Sequence, residues 1–555
     1  MKKNKVFWIL SAIILLHLIL ISMFINQSFY GDETGFIVGA REIASGKITG
    51  PLGYRDGVLD SYKSNMLAHP PTFVYLLALF IKLFGSSAIS VRSLSALFSI
   101  GIIILIYLIT KLILEKKKID NSTNLALFAS LLYAIMPIAV QSSIIVDIDG
   151  GILNFFVLLF LYFYLSEKKE AYIISALFFV FMSKISAPVA LFAALFLLNL
   201  ILSDYKELLR IIKIFIIAGL AAFLIIVAYG KIFDLNWIDI FNHNSIFYFL
   251  MYFIKNPYEI TFKALWFFKI FFYFATPFFI FLFIFVIFLI LKKIYHRKIN
   301  YIKENKDMFV LLFYALLSIA LILICGVTGY NFPKYYIATV VPILVALIYF
   351  SSEINLKDYL KKYWKILLLT SILILAYYAI FLKDPLIPEI EGRVKTTSLM
   401  DAVKPILTRS IMYSIVPLFL SLGLFIVIKE KRLWFILFFL FILTTLYIQA
   451  IQLRANYSTH VIYGDKGLQE VLEFMKGKPP NQIMGYPHVI YYIDYKNCYE
   501  LTSVYFNLPK FQELINTKSI NWIILYPKDM VLLKEELDDF EVEKNIGSYI
   551  ILKRK

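Results

Sequence analysis

The sequence has few charged residues and almost no cysteine. Charged residues make up 17% of its 555 residues, whereas hydrophobic residues make up 60%. One soluble core of this length cannot bury so much apolar sequence, which excludes an ordinary globular domain. Cys325 lies in an apolar stretch and Cys498 in a polar one, so the two cysteines do not fit a disulfide framework or a zinc site. A phosphate-cradling glycine loop and a Ser-His-Asp spacing are also missing, so the sequence carries no soluble-enzyme motif.

Long apolar runs between short polar segments indicate a polytopic membrane protein. Runs of about 17 to 25 apolar residues are long enough to cross a bilayer. The formal net charge is +17, and its basic residues cluster in short runs such as Glu115-Lys116-Lys117-Lys118. The positive-inside bias places such runs in cytoplasmic loops. The charge therefore indicates topology and contact with membrane lipids, and we expect no nucleic-acid partner.

The apolar runs predict about 13 transmembrane helices. The first, at residues 7–27, follows a basic N-terminus and is interpreted as an uncleaved helix. A long run at residues 172–202 gives two spans because Lys184 and Pro188 interrupt it. With the basic loops inside, we expect a multi-pass protein of the plasma (inner) membrane with a cytoplasmic N-terminus.

The chain changes character near Ala455. We expect an all-α transmembrane domain at residues 1–454 and a small extracytoplasmic α/β domain at 455–555, because an odd number of spans puts the tail outside. Within the tail, Gly467 to Met475 has the pattern of an amphipathic helix. Two segments are predicted as short buried strands, namely Gln482 to Tyr486 and Trp522 to Leu525.

The first outer loop, residues 28–71, carries the acidic pair Asp32-Glu33 directly after the first helix. Carboxylates are costly in hydrocarbon, so a pair at a membrane exit marks a water-filled rim where charge can act. On its own, the pair is more typical of a solvated helix end. The predicted topology places further polar side chains on or near the same rim, namely His69, Arg92, Asp147, Asp149, Lys184 and Lys334.

Two of these residues have ordinary structural interpretations. His69 precedes Pro70-Pro71 and fits a turn before a helix. It also fits a partner of a metal or a phosphate near the acids. Lys184 is flanked by apolar residues and needs water or an anion to stay charged, although its side chain can also reach the interface. The convergence of so many polar groups on one face favours a functional site.

In this order, the motifs resemble the GT-C membrane glycosyltransferases of the protein O-mannosyltransferase and aminoarabinose (lipid A) transferase type. The motifs are Asp32-Glu33, His69-Pro70-Pro71, Phe84-Gly85 with Arg92-Ser93-Leu94, Lys184, and Pro333-Lys334-Tyr335-Tyr336. The resemblance covers most of residues 1–350. It implies transfer of a single sugar from a polyprenyl-phosphate carrier to a lipid, glycan or protein acceptor on the extracytoplasmic face.

The resemblance also implies roles for the candidate residues. Asp32 matches the acidic residue proposed as general base, with Glu33 as its neighbour, and Asp147, or else Asp149, matches a second acidic position. One base and one displacement predict inversion at the anomeric carbon. The candidates for substrate binding are His69, Arg92, Asp149, Lys184, Lys334 and Tyr335, of which Lys184 and Lys334 suit the carrier phosphate. No cofactor is certain, and a divalent metal ion at Asp32, Asp147 and His69 is left open.

Two other functions fit a protein of this class. A transporter or flippase predicts polar groups at mid-membrane and repeated halves, neither of which is evident in the sequence. A glycan polymerase or ligase shares the carrier lipid and differs in moving a preassembled glycan. The C-terminal domain is expected either to receive the acceptor or to act as a structural lid.

Overall fold

The computed structural model describes most of the chain. The described residues are 3–27, 29, 32–46, 69–238, 240, 274–325, 333–352, 356–381, 408, 411–422, 430–455, 467–494, 497–501, 508–517 and 520–555. The chain divides into two compact units. The first unit contains Met1–Phe24, Ser95–Phe223 and Asn244–Asn456, and the second contains Ile25–Leu94, Leu224–His243 and Tyr457–Lys555.

Helices dominate both units as far as residue 455. The helices of the first half are α1 (Lys3–Ser22), α2 (Asp32–Ala44), α3 (Thr72–Phe84), α4 (Ala88–Lys116), α5 (Ser122–Ile135), α6 (Pro137–Ser143), α7 (Ile152–Leu165), α8 (Glu170–Ser183), α9 (Ala187–Ile201) and α10 (Tyr205–Ile232). Those of the second half are α11 (Pro277–Glu304), α12 (Lys306–Cys325), α13 (Ile337–Ser351), α14 (Leu356–Phe381), α15 (Val416–Leu422) and α16 (Glu430–Ala455). A 3₁₀ turn, Pro333–Tyr336, precedes α13, and a π-helical turn, Ile411–Ile415, precedes α15.

The helices confirm an all-α multi-pass membrane protein. Among the described residues, eight helices are long and apolar enough to cross a bilayer, or nine if the bent pair α5–α6 is one span. Shorter apolar helices, α7, α8 and α9, lie where the sequence predicts further spans. The predicted total of about 13 spans stays a prediction.

The long apolar region at residues 172–202 is broken where the sequence predicts. Helix α8 ends at Ser183, Lys184 is extended, and α9 starts at Ala187 with Pro188 in its first turn. Proline is tolerated in a first helical turn because that position has no helical hydrogen bond to lose. The break leaves the Lys184 side chain at the junction of two helices.

In the second unit, the acidic pair opens a helix where the sequence analysis expected a loop. Asp32 and Glu33 are the first two residues of α2, and Arg41 lies in its last turn, as the helix dipole favours. Phe36, Ile37 and Ala40 are buried, and α2 packs against α3. Burial of this face stabilises a segment whose own helix propensity is low.

The C-terminal part of the second unit is the predicted small α/β domain. Its strands are β1 (Ile483–Gly485), β2 (Tyr499–Glu500), β3 (Trp522–Leu525), β4 (Phe540–Ile546) and β5 (Tyr549–Arg554), and its helices are α17 (Leu468–Met475), α18 (Pro487–Asp494), α19 (Leu508–Thr517) and α20 (Pro527–Leu532). The sheet order is β2-β1-β3-β5-β4. Strands β1, β2 and β3 are parallel, and β5 is antiparallel to β3 and β4. The predicted helix and both predicted strands are confirmed, whereas the domain boundary near Ala455 stays a prediction.

Candidate functional site

Asp147 and Asp149 lie in the loop between α6 and α7 of the first unit. The loop follows a break at Pro137, where α5 and α6 meet at 65°. Proline has no N–H and cannot continue the hydrogen bonds of α5, which explains the break. The Ser95 hydroxyl donates to the Ile145 carbonyl at 2.8 Å and ties the loop to α4.

Local hydrogen bonds set the two carboxylates relative to each other. The Asp149 N–H donates to Asp147 Oδ1 at 2.9 Å, as is common where an aspartate bonds the backbone two residues on. The Asn154 amide donates to the Asp149 carbonyl at 2.6 Å. A Cβ at Gly150 would lie 3.0 Å from the Ser142 carbonyl oxygen, so only glycine fits the turn without a backbone shift.

Each of these carboxylates is paired with one of the predicted lysines. Lys334, in the 3₁₀ turn before α13, donates to Asp147 Oδ2, and the two side chains are 3% and 5% exposed. Lys184, between α8 and α9, lies 2.8 Å from both carboxylate oxygens of Asp149. The structure therefore brings four predicted residues together as two ion pairs, which we call the Asp–Lys cluster (Asp147, Asp149, Lys184 and Lys334).

Tyr335 lies beside both ammonium groups. Its ring centroid is 4.8 Å from Lys334 Nζ and 5.6 Å from Lys184 Nζ. An aromatic ring attracts a cation within about 6 Å of its centroid. Tyr335 thus links the two ion pairs through its ring, which places this predicted binding residue in the cluster.

The Asp149 carboxyl has a perturbed acidity. Burial raises the pKa of Asp149, the Lys184 ammonium opposes this rise, and the nearby Asp147 carboxylate adds to it. Acid therefore breaks the Lys184–Asp149 ion pair at a higher pH than it would if Asp149 had an ordinary pKa.

The Asp–Lys cluster combines two ammonium groups with two carboxylates. Its two ammonium groups and two carboxylates carry no net formal charge, and hydrogen bonds are stronger in such a partly buried place than in water. An anion would have to take the place of a carboxylate at each ammonium group in order to bind there. The same exchange frees carboxylate oxygens to accept hydrogen bonds from hydroxyl groups.

In the second unit, Glu33 pairs with Arg92. Arg92 Nη2 lies 3.3 Å from Glu33 Oε2, and the Arg92 side chain is fully buried. Arg92 Nη1 donates to the carbonyl oxygens of Ile25 at 2.9 Å and Gln27 at 2.5 Å. These contacts hold the first turn of α2, where Asp32 stands beside Glu33. The Asp32 side chain lies outside the described part of the chain, and the substrate-binding role predicted for Arg92 stays a prediction.

His69 lies just before α3 and packs against α2. Its ring centroid is 6.0 Å from that of Phe36 at an interplanar angle of 39°. This position fits the interpretation as a turn residue before a helix that follows Pro71. A binding role for His69 stays a prediction.

The divalent metal ion left open by the sequence concerns the carboxylates of the site. Among the described residues, no three His, Cys, Asp or Glu side chains are grouped to hold a metal ion. The metal predicted at Asp32, Asp147 and His69 stays a prediction.

His17 is not among the residues predicted from the sequence, and it is fully buried in α1. His17 Nδ1 donates to the Ala134 carbonyl at 2.7 Å, since a carbonyl can only accept. Its Nε2 therefore accepts, and it lies 2.8 Å from Ser99 Oγ and 3.2 Å from Ser143 Oγ. Ala134 lies in the last turn of α5, so His17 binds the backbone next to the break between α5 and α6. The sequence feature that could have indicated His17 is a histidine in the middle of an apolar span.

Comparison with known proteins gives one family and several solved structures. Residues 68–230 match the family described as dolichyl-phosphate-mannose-protein mannosyltransferase. The fold is similar to that of ArnT from Cupriavidus metallidurans bound to undecaprenyl phosphate, with a TM-score of 0.53, 12% identity, and coverage of 100% of this chain and 98% of that chain. No curated protein matches the chain.

Two further structures are similar at lower scores. ArnT from Cupriavidus metallidurans in the apo state has a TM-score of 0.49, 11% identity, and coverage of 99% of this chain and 97% of that chain. The oligosaccharyltransferase of Archaeoglobus fulgidus, in complex with zinc and sulfate, has a TM-score of 0.45, 14% identity, and coverage of 93% and 68%.

The likeness to ArnT shows the GT-C fold. Together with the family match, it indicates a membrane glycosyltransferase of the protein O-mannosyltransferase and aminoarabinose-transferase type. The resemblance, the fold class and the enzyme class predicted from the sequence are thereby confirmed. The matched segment contains His69, Arg92, Asp147, Asp149 and Lys184, whereas Asp32 and Lys334 lie outside it.

Proposed function

We propose that this protein moves a single sugar from a polyprenyl-phosphate carrier to a hydroxyl group of a lipid, glycan or protein on the extracytoplasmic face of the plasma membrane. The observation that carries the proposal is the Asp–Lys cluster, in which two ammonium groups lie beside the Tyr335 ring. Two comparisons support the class of carrier. The description of the matched family names dolichyl phosphate, and the ArnT structure contains undecaprenyl phosphate.

Lys184 and Lys334 are the proposed ligands of the carrier phosphate. A prenyl-linked donor cannot leave the bilayer, so its phosphate must lie at the membrane interface, where cations can bind it. The phosphate gains negative charge as the glycosidic bond breaks. Ammonium groups that are already in place stabilise that charge in the transition state more than in the ground state. Asp147 and Asp149 keep both groups in place until the phosphate binds.

Asp32 is the proposed general base. The acceptor oxygen attacks the anomeric carbon, the bond from that carbon to the phosphate oxygen breaks, and its electron pair leaves with the polyprenyl phosphate. The acceptor proton passes to the Asp32 carboxylate. Such a base contributes about a hundred- to ten-thousandfold to the rate. A single displacement inverts the configuration at the anomeric carbon, and Glu33, held by Arg92, orients the first turn of α2.

The test is donor turnover by the full-length protein in lipid nanodiscs. Undecaprenyl-phosphate-linked mannose and aminoarabinose, radiolabelled in the sugar, are supplied together with acceptor-containing membranes. Release of undecaprenyl phosphate is compared between the wild type, Asp32→Asn and Asp120→Asn. Asp32→Asn keeps the shape of the side chain and removes the base. Asp120 is exposed between α4 and α5, so Asp120→Asn is the matched control.

We expect turnover by the wild type and by Asp120→Asn, and a loss of about a hundredfold or more in Asp32→Asn with donor binding unchanged. Equal turnover by Asp32→Asn and wild type would remove Asp32 as base. Turnover that occurs only with a donor carrying a preassembled glycan, supplied in a parallel reaction, would favour a glycan ligase. In proteoliposomes, movement of a lipid-linked sugar across the membrane without release of carrier phosphate would favour a flippase.

A further inference from the structure

Two adjacent tyrosines of the C-terminal domain contact the segment that leads into α2. Tyr491 and Tyr492 lie on α18, and the Phe29 N–H donates to the Tyr492 hydroxyl at 2.8 Å. The Phe29 ring is stacked on Tyr492 at an interplanar angle of 10° and meets Tyr491 edge-on with centroids 5.6 Å apart. Phe29 is only 4% exposed, although it belongs to no helix or strand. The two tyrosines therefore bury and bind a residue three positions before Asp32.

Phe29 is also in contact with the ion pair of α2. The Arg92 guanidinium carbon lies 4.8 Å from the centroid of the Phe29 ring, within the range of a cation–π contact. The same guanidinium pairs with Glu33 in the first turn of α2. The contacts thus run without interruption from Tyr492 through Phe29 and Arg92 to Glu33, the neighbour of Asp32.

The far end of α2 contacts one of these two tyrosines, Tyr491. The Arg41 guanidinium carbon lies 4.9 Å from the centroid of the Tyr491 ring, and Arg41 stands in the last turn of α2. Helix α18 thus contacts the last turn of α2 through Tyr491. It also contacts Phe29, just before the first turn of α2, through Tyr491 and Tyr492. Contacts at both ends restrict the position of a short helix more than contacts at one end.

From these contacts we infer that Tyr491 and Tyr492 are positioning residues, which set the first turn of α2 so that Asp32 can accept the proton of the acceptor hydroxyl. The inference rests on the proposed function, and it assigns the C-terminal domain a part in catalysis through α2. The domain is then more than a structural lid, because loss of its contacts with α2 lowers the rate of the chemical step. A misplacement of a catalytic group by about 1 Å is enough to lower a rate severely.

The test combines hydrogen exchange with kinetics on the full-length protein in nanodiscs. Tyr492→Phe removes the acceptor of the Phe29 N–H and keeps the stacked ring. Tyr491→Leu removes the ring that contacts Phe29 and Arg41. Tyr499→Phe, a half-buried tyrosine of β2 in the same domain, is the matched control. Exchange is followed at the Phe29 amide and along residues 32–46, and kcat and the donor KM are measured with the undecaprenyl-phosphate-linked sugars.

We expect Tyr492→Phe to speed exchange at Phe29 and to lower kcat, each about two- to tenfold, as the loss of one hydrogen bond predicts. The donor KM should stay within about twofold, because a change confined to the first turn of α2 leaves the donor phosphate site intact. Tyr491→Leu should have larger effects of the same kind. Tyr499→Phe should match the wild type in all three measurements.

Unchanged exchange and kcat in both Tyr491→Leu and Tyr492→Phe would overturn the inference while leaving the proposed function intact. A rise in donor KM at constant kcat would also overturn it, because the tyrosines would then act on donor binding. If the wild type turned over no donor, the proposed function would fail. Faster exchange along α2 would in that case still support the contact, and unchanged exchange would reject it.

Discussion

Lys334 and Asp147 form a buried ion pair although 187 residues separate them in the sequence. The pair joins the 3₁₀ turn before α13 to the loop between α6 and α7. A charge buried in this way is tolerated because its partner neutralises it, and each becomes costly when the other is removed. The stability of the first unit therefore depends on Lys334, which is also a proposed ligand of the carrier phosphate.

Removing one partner of this pair should be worse than removing both. We expect Lys334→Met to destabilise the protein by about 3–5 kcal/mol, because it leaves the Asp147 carboxylate buried without its cation. The double variant Lys334→Met with Asp147→Leu should recover most of that loss. Thermal unfolding in one detergent at one scan rate measures the difference. Equal midpoints for the single and the double variant would contradict the expectation, and both variants should be inactive in donor turnover.

Donor affinity should depend on pH through Asp149. Because burial raises the pKa of Asp149 above its ordinary value, the carboxyl takes up a proton at a higher pH than an ordinary aspartate does when the solution is acidified. Protonation releases the Lys184 ammonium from its carboxylate partner, so the donor KM should fall as the pH falls. Asp149→Asn should show the low KM already at neutral pH and no further change on acidification. A wild-type KM that rises in acid would contradict this assignment.

The sequence predicts the Asp–Lys cluster only in part. The position of Lys184 at a helix break follows from a lysine and a proline within one apolar run, and the structure has this break. Which carboxylate each lysine meets depends on how distant helices pack, and no local pattern carries that information. The strands β1 and β3 could be predicted because their signal is local: a short buried strand is an apolar run between polar residues.

Helix α2 shows where local signals are too weak. The mostly polar sequence after the first helix predicts an outer loop at residues 28–71, and Gly35 and Gly39 lower the helix propensity of this segment. The apolar residues at Phe36, Ile37 and Ala40 share one helical face and are buried in the structure. Tertiary packing on α3 supplies the stability that the sequence of α2 lacks, and that packing cannot be inferred from residues 28–71 alone.

His17 should contribute to stability through the buried polar groups that it binds. His17→Ala leaves the Ala134 carbonyl and two serine hydroxyls without their buried imidazole partner. We expect a loss of about 1–3 kcal/mol, the cost of a buried polar group left unsatisfied. His296 is exposed in α11, and His296→Ala should lie within about 0.5 kcal/mol of the wild type. Unfolding midpoints of the two variants in detergent give the comparison, and equal midpoints would show that the His17 network is not stabilising.

A methyl group at Gly150 should disturb the Asp–Lys cluster. An added Cβ would lie 3.0 Å from the carbonyl oxygens of Ser142 and Ile145, and backbone atoms cannot move aside as a flexible side chain can. We therefore expect Gly150→Ala to shift the loop that carries Asp149, to cost about 1–3 kcal/mol of stability, and to lower donor turnover.

Gly219 provides the matched control for this substitution. A Cβ at Gly219 in α10 would meet the Phe181 ring at 3.3 Å, and a ring can shift by the few tenths of an ångström required. Alanine also favours a helix over glycine by about 0.5–1 kcal/mol, so Gly219→Ala should be close to the wild type in stability and activity. The two variants are compared by unfolding midpoint and by release of undecaprenyl phosphate. If Gly150→Ala kept both at wild-type values, the turn at Gly150 would not be what sets the two carboxylates, and the hydrogen bonds of Asp147 and Asn154 would have to suffice.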